Sequence, residues 1–228
     1  MTTLWKALIA GYALISGALL HPNRASALDC RNGFPYQGGT YGIASVIASD
    51  HAYFYAAAPP CPDGPGCRMS SYIEPGDLVI TGPAEGSGLC ALYPGQTRTI
   101  FGVIHRTDLG TPQPADTHPP LTAWTGTWKK GDDQITLRPD GSSIVANGDA
   151  YWPSANPPLD QQPGGPNIGE MAGKADPNGN AVTFASTDPN NCRVTLTLVS
   201  PFMLAQDNNK CGGHNVTFTG VYLRPPPS

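Results

Sequence analysis

Few residues in this chain have the types and spacing for chemistry. A catalytic site needs a poised nucleophile, acid, base or metal. Gly86-Ser87-Gly88 offers a hydroxyl, but the surrounding "EGSGLC" is not a G-x-S-x-G elbow and lacks the strand–turn–helix context that would sharpen a serine. Asp149 and Glu170 each lie beside apolar residues of strand-like stretches. Two carboxylates inside a barrel would make an acid–base pair, whereas on its outer face they would simply be solvated. The other acidic residues, such as Asp132, Asp133 and Asp188, fall mostly in turn clusters, where carboxylates shape backbone. His51, His105, His118 and His214 are scattered and no CxxC pair exists, so the four converging ligands of a structural zinc site are missing. These patterns predict no enzyme, no cofactor and no metal.

The elements that would position any site begin after an N-terminal leader. Lys6 precedes an apolar run from Leu8 to Leu20, and small residues follow at Ala25 and Ala27, the layout of a signal peptide spanning 1–27. The run is shorter than the roughly 20 apolar residues that span a bilayer. Asp29 before Cys30 does not fit a lipid anchor, so the expectation is a periplasmic or secreted protein with no stable membrane span. The net charge of −4 becomes more negative when Lys6 and Arg24 leave with the leader, which argues against nucleic acid and anionic lipid as main partners. With 27 glycines, 25 prolines and only 13% charged residues, long helices have little to be built from. An even count of six cysteines in an oxidising compartment predicts three disulfides.

Two domains are expected around a Pro-rich linker at 110–121, whose composition resists helix and strand. Domain one, 28–109, reads as four or five short strands. "HAYFYAAAPP" places Tyr53 and Tyr55 on one face and Phe54 on the other, and "SYIEPGDLVITG", "GLCALY" and "RTIFGVIHRTDL" follow. Such a set points to a small barrel. Cys61 and Cys67 sit symmetrically about a Pro-Gly turn and would close it, leaving Cys30 for Cys90; the other connectivities of these four stay open. Domain two, 122–224, followed by a tail at 225–228, reads as eight strands: "TAWTGTW", "DQITLR", "SSIVANGDAYW", "NIGEMAGKA", "NAVTFAS", "CRVTLTLVS", "FMLAQD" and "NVTFTGVYLR". Val194, Leu196 and Leu198 alternate with Arg193, Thr195 and Thr197, and Val216, Phe218, Gly220 and Tyr222 share a face. The fold class is therefore all-β, the second part an eight-stranded antiparallel up-and-down barrel.

A hairpin turning at Ser200-Pro201 sets Cys192 opposite a position near Asn209, two residues short of Cys211. A bulge, with Gly212 and Gly213 redirecting the chain, would let Cys192 and Cys211 staple that hairpin. The competing view makes Asp207, Asn208, Lys210 and His214 a polar mouth for a ligand.

Two resemblances add to this reading. "AYFYAAAP", "YIEPGDLVI" and "FGVIHRTDL", covering Ser45 to Leu109, resemble the bacterial SH3-like family, with Phe101 standing where that family usually has glycine before tryptophan. The resemblance implies recognition of peptide or peptidoglycan on an aromatic surface, for which Tyr53, Tyr55, Tyr72 and Tyr93 are the candidates. Packing of the same tyrosines into the barrel is the alternative. The residues Asp207, Asn208, Cys211, Gly212, Gly213, Asn215, Val216, Phe218, Gly220, Tyr222 and Arg224 resemble the closing "DNxxCGGxNVxFxGxYxR" motif of an uncharacterised C-terminal β-domain of exported proteobacterial proteins, and the match spans Trp124 to Arg224. It implies an envelope domain, sometimes beside lysozyme-inhibitor-like segments. Small barrel inhibitors of lysozyme carry Gly-Ser-Gly followed by tyrosine, which makes Ser87, Tyr93 and Arg98 inhibitor-loop candidates. The leading expectation is thus a non-catalytic binding module of the cell envelope. The alternatives are a lysozyme inhibitor and a structural protein contacting an envelope protein.

Overall fold

A computed structural model describes residues 30, 40–58, 60–85, 87–95, 99–187 and 189–226. The expected leader at 1–27 lies outside them, as do Arg98 and Asp188. The protein is all-β, built from antiparallel sheets of which none is closed among the described residues.

The first part forms seven strands, β1 (Gly42–Ser45), β2 (Ala52–Tyr55), β3 (Arg68–Ile73), β4 (Leu78–Glu85), β5 (Gly88–Pro94), β6 (Thr99–His105) and β7 (Gln113–Pro114), in the order β3-β2-β6-β5-β4-β1-β7. Their inward residues, among them Phe54, Ile73, Val79, Ala91 and Ile104, form one core. The 110–121 segment does more than connect. Gln113 and Pro114 pair with Ile43 and Gly42 of β1. Proline is accepted there because β7 is an outer strand and no further neighbour needs its missing N–H.

The second part opens with one helical turn, α1 (Leu121–Trp124), where the sequence pattern predicts a strand. Trp124 is fully buried, and its backbone carbonyl accepts the indole N–H of Trp128 at 2.9 Å, so this turn plugs an end of the core. Strands β8 (Gly126–Lys130), β9 (Asp133–Asp140), β10 (Ser143–Trp152) and β11 (Asn167–Ala175) form one meander. Strands β12 (Ala181–Ala185), β13 (Arg193–Val199), β14 (Phe202–Asp207) and β15 (Gly220–Tyr222) form another. At the β9–β10 hairpin Gly141 supplies the positive φ (66°) that a two-residue loop requires. Ile135, Leu137, Phe184, Leu196, Met203 and Phe218 fill the space between the two sheets. At one seam Lys129 and Leu223 exchange backbone hydrogen bonds of 2.8 and 2.9 Å.

The stretch 215–219 differs from the strand that the alternation of 215–224 predicts. Val216, Phe218 and Tyr222 are buried as that alternation requires, yet only Gly220–Tyr222 pairs as strand. The competitor is the Asp207 carboxylate. It accepts the Phe218 N–H at 2.6 Å, the Asn209 N–H at 3.0 Å and the Thr217 hydroxyl at 3.1 Å, which curls the chain around one side chain. Lys130 fixes the far side of the curl, donating to the Thr217 and Thr219 carbonyls at 3.1 and 3.0 Å while paired with Asp133 at 3.0 Å.

All three expected disulfides form, Cys30–Cys90, Cys61–Cys67 and Cys192–Cys211. Disulfides are typical of extracytoplasmic proteins, and among the described residues no helix is long and apolar enough to cross a membrane. In the β13–β14 hairpin Val199 faces Phe202 and Val194 faces Asp207, the register expected from the turn at Ser200-Pro201. Gly212 makes a bridge to Gly169 of β11, with the Gly213 N–H on the Ile168 carbonyl and the Glu170 N–H on the Cys211 carbonyl, both at 3.1 Å. A Cβ on Gly212 would lie 2.5 Å from the Gly169 Cα, so the glycines serve this close crossing.

The two parts share a third core. The run "FMLA" of β14 is buried on both faces, with Met203 and Ala205 turned to the core between the C-terminal sheets and Phe202 and Leu204 to Tyr41, Ile80 and Leu92 of the N-terminal sheet. Val199 and Val221 complete that shared layer.

Candidate functional site

Two of the four candidate tyrosines come together. Tyr53 lies opposite Tyr72 across the β2–β3 pair, with ring centroids 5.8 Å apart. A bulge between Tyr53 and Tyr55 shifts the register. As a result Arg68 sets its guanidinium 4.5 Å from the Tyr53 ring centroid, a cation–π arrangement. His51, just before β2, meets Tyr72 edge-on at 4.2 Å. Tyr72 is 46% exposed, a high value for so large a ring. β3 is the outer strand of its sheet, and Arg68, Ser70 and Tyr72 are exposed along it. The result is a short shelf of aromatic rings and one fixed cation beside a strand edge with unpaired backbone groups.

The electrostatics of the shelf centre on His51. Asp50 comes within 2.7 Å of its Nδ1 and Glu74 within 3.4 Å of Nε2. The Asp50 contact is the largest influence and raises the imidazole pKa above its ordinary 6.5; desolvation opposes it, and the charges of Asp50 and Glu74 add to it. Because folding favours the charged form, the associated stabilisation is full below pH 6.5 and is lost as pH rises through the elevated value. In an NMR titration of the ring protons, His51 is expected to titrate above 6.5, and Asp50→Asn to move it back toward that value.

The other two tyrosines have different surroundings. Tyr55 packs with Ala57 against Cys30, Cys90 and Val103, and its ring meets His105 at 4.4 Å. The first disulfide thus covers one end of the tyrosine face. Tyr93 packs against the N-terminal core near Asp77; burial raises the phenol pKa first and the Asp77 carboxylate adds to it. The sequence alternation singled out the tyrosines, but Arg68 and His51 join them only through the bulge and the turn at Asp50.

A second constellation gathers Ser87 from the β4–β5 turn, Asp63 from the Cys61–Cys67 loop and His105 from the end of β6. Ser87 Oγ lies 2.7 Å from Asp63 Oδ1 and 3.4 Å from His105 Nδ1, and His105 Nδ1 lies 4.0 Å from Asp63. The hydroxyl proton goes to the carboxylate, so the three do not form the chain of nucleophile, base and orienting acid that acyl transfer uses. They tie the disulfide loop to the sheet. Ser87 and Tyr93 lie at opposite ends of β5, roughly 20 Å apart for six residues of strand. One loop does not present both.

In the C-terminal part, Asp207 is occupied by the curl described above. Asn208 accepts the Arg193 N–H at 3.1 Å and donates to the Asn191 carbonyl at 2.8 Å, holding the base of the β13–β14 hairpin. Of the expected polar mouth, His214 lines an open depression. Asp149 and Glu170 are direct cross-strand partners, but Glu170 is exposed and Asp149 half-buried on the outer face, where Gln134 donates to Asp149 at 3.3 Å. That pair faces away from the core residues Ala146, Gly148 and Ala150.

No protein-family profile, no curated protein and no solved structure matches this chain.

Proposed function

We propose that the protein is an exported, non-catalytic binding module of the bacterial cell envelope whose N-terminal part recognises peptide, free or within peptidoglycan. The observation that carries this reading is the shelf of Tyr53, Tyr72, Arg68 and His51 beside the outer strand β3. An extended peptide adding to that edge would gain backbone hydrogen bonds, while its alternate side chains met the aromatic rings. On this reading the N-terminal sheet is an SH3-like unit and the β8–β15 meander an eight-stranded up-and-down barrel. The pairing of Lys129 with Leu223 and the Gly169–Gly212 bridge, which link the two C-terminal sheets, support the second assignment.

Oxidised protein incubated with isolated peptidoglycan is expected to sediment with it, and Tyr72→Ala or Arg68→Ala to reduce the bound fraction about tenfold, the range of an aromatic or arginine anchor. Neither side chain is buried, so both variants should fold. Absence of co-sedimentation, or binding indifferent to both substitutions, would overturn the proposal. Loss of lysozyme activity without co-sedimentation would point instead to an inhibitor.

A further inference from the structure

We infer that the C-terminal part carries a separate binding groove for an uncharged oligosaccharide, running from Trp152 to His214. This does not depend on the reading of the N-terminal shelf. Trp152, at the end of β10, is 47% exposed, whereas Trp124 and Trp128 are fully buried. It borders a depression of about 380 Å3 together with Tyr151, Pro153, Ser154 and Asn215. A second depression of about 520 Å3 continues past Asn215 and Thr217, which line both, to His214 and Gly213. Each volume lies in the roughly 300–1,000 Å3 range of small-molecule sites.

The register and the loops explain why the groove exists. Trp152 pairs with Asn167 at the open end of β10–β11, and Asn167 donates its amide to the His214 carbonyl at 2.8 Å. Gly213 bonds to the Ile168 carbonyl. The 213–215 segment is therefore held as one wall, and the Trp152–Ser154 segment forms the other, fixed by the Tyr151 N–H on Asp133 at 2.9 Å and the Ala155 N–H on Asp132 at 3.0 Å.

The chemistry of the lining selects the ligand class. Its charged groups have partners within the chain: Lys130 is held by Asp133 and two carbonyls, and the exposed Asp132 accepts the Ala155 N–H. The side chains of Ser154, His214 and Asn215 make no hydrogen bond to another group among the described residues. An exposed indole beside uncharged donors and acceptors fits a pyranose. One face of the sugar presents C–H groups to the negative ring face, and its rim presents hydroxyls to amide and hydroxyl partners. Two joined depressions offer room for consecutive sugar units rather than one.

The test is calorimetric titration of the oxidised protein with the β-1,4-linked tetramer of N-acetylglucosamine, in parallel with acrylamide quenching of tryptophan fluorescence. Saturable binding that shields the emission from quencher is expected, with Trp152→Ala abolishing the heat and Asn215→Gly weakening it about tenfold. Asn215→Gly is the second arm because φ is 64° at that position, so glycine keeps the backbone and removes only the amide. Absence of saturable heat with the tetramer, binding unchanged in both variants, or a response to a proline-rich peptide or a polyuronate but not to the tetramer would each overturn the proposal. Failure of peptidoglycan to report on Tyr72 would leave this titration unaffected.

Discussion

Asp207→Ala is expected to lower stability by about 3 kcal/mol, read as a fall in the urea midpoint at unchanged slope. The carboxylate accepts from the Phe218 and Asn209 N–H groups and from the Thr217 and Thr219 hydroxyls at 2.6 to 3.3 Å. Charge-assisted bonds are stronger than neutral ones, and removing their shared acceptor strands several donors at once. Phe218 is fully buried, so its N–H has no easy route to water. Asp207→Asn should cost roughly half as much, since one amide oxygen remains to accept. A loss below about 0.5 kcal/mol for Asp207→Ala, the usual size of a surface substitution, would show that the curl holds without its centre.

The second large effect is expected at the glycine crossing. In Gly212→Ala the new Cβ would meet the Gly169 Cα at 2.5 Å and the Ile168 carbonyl oxygen at 2.8 Å. Both neighbours are backbone, so no side-chain rotation relieves the clash and the two segments must part, at a cost of about 3 kcal/mol. Gly169→Ala should behave alike, with the Cys211 oxygen at 2.5 Å and the Val216 Cγ1 at 2.6 Å. Gly164→Ala meets nothing within 4 Å and serves as the control, expected within about 0.5 kcal/mol of the parent. Hydrogen exchange localises the damage. The Glu170 and Gly213 amides, which bond across the crossing, should lose protection first. Equal stability of Gly212→Ala and Gly164→Ala would refute the packing argument.

What the sequence revealed follows the range over which each feature is determined. The β13–β14 register was legible because a hairpin is local: a turn at Ser200-Pro201 fixes every pair out to Val194 and Asp207, and with them the cysteines. The turn-closing Cys61–Cys67 pair was legible for the same reason. β1 and β7 were not, because β1 finds its partners far along the chain, at Leu78–Thr81 and at Gln113–Pro114. The strand expected at 215–219 failed because period-two burial of Val216 and Phe218 persists in a curl governed by a side chain eleven residues from Phe218. For the aromatic shelf, alternation identified Tyr53 but grouped it with Tyr55, when its neighbours in space are Tyr72 and Arg68. The register slips by two residues between the Tyr53–Tyr72 and Tyr55–Arg68 pairs, the extra residues lying on β3, and nothing in the alternation of "HAYFYAAAPP" marks it. Trp152 is visible as a residue, but its exposure depends on where β10 ends against the 213–215 segment.

The layer in which Phe202, Leu204, Val199 and Val221 meet Tyr41, Ile80 and Leu92 bears on how the molecule can be dissected. Proline-rich 110–121 looks like a natural place to cut. Separating the parts there would leave each with a bare apolar face where the other had packed, and such faces promote self-association. The halves are therefore not interchangeable modules on a tether. Each is the solvent-excluding cover of the other.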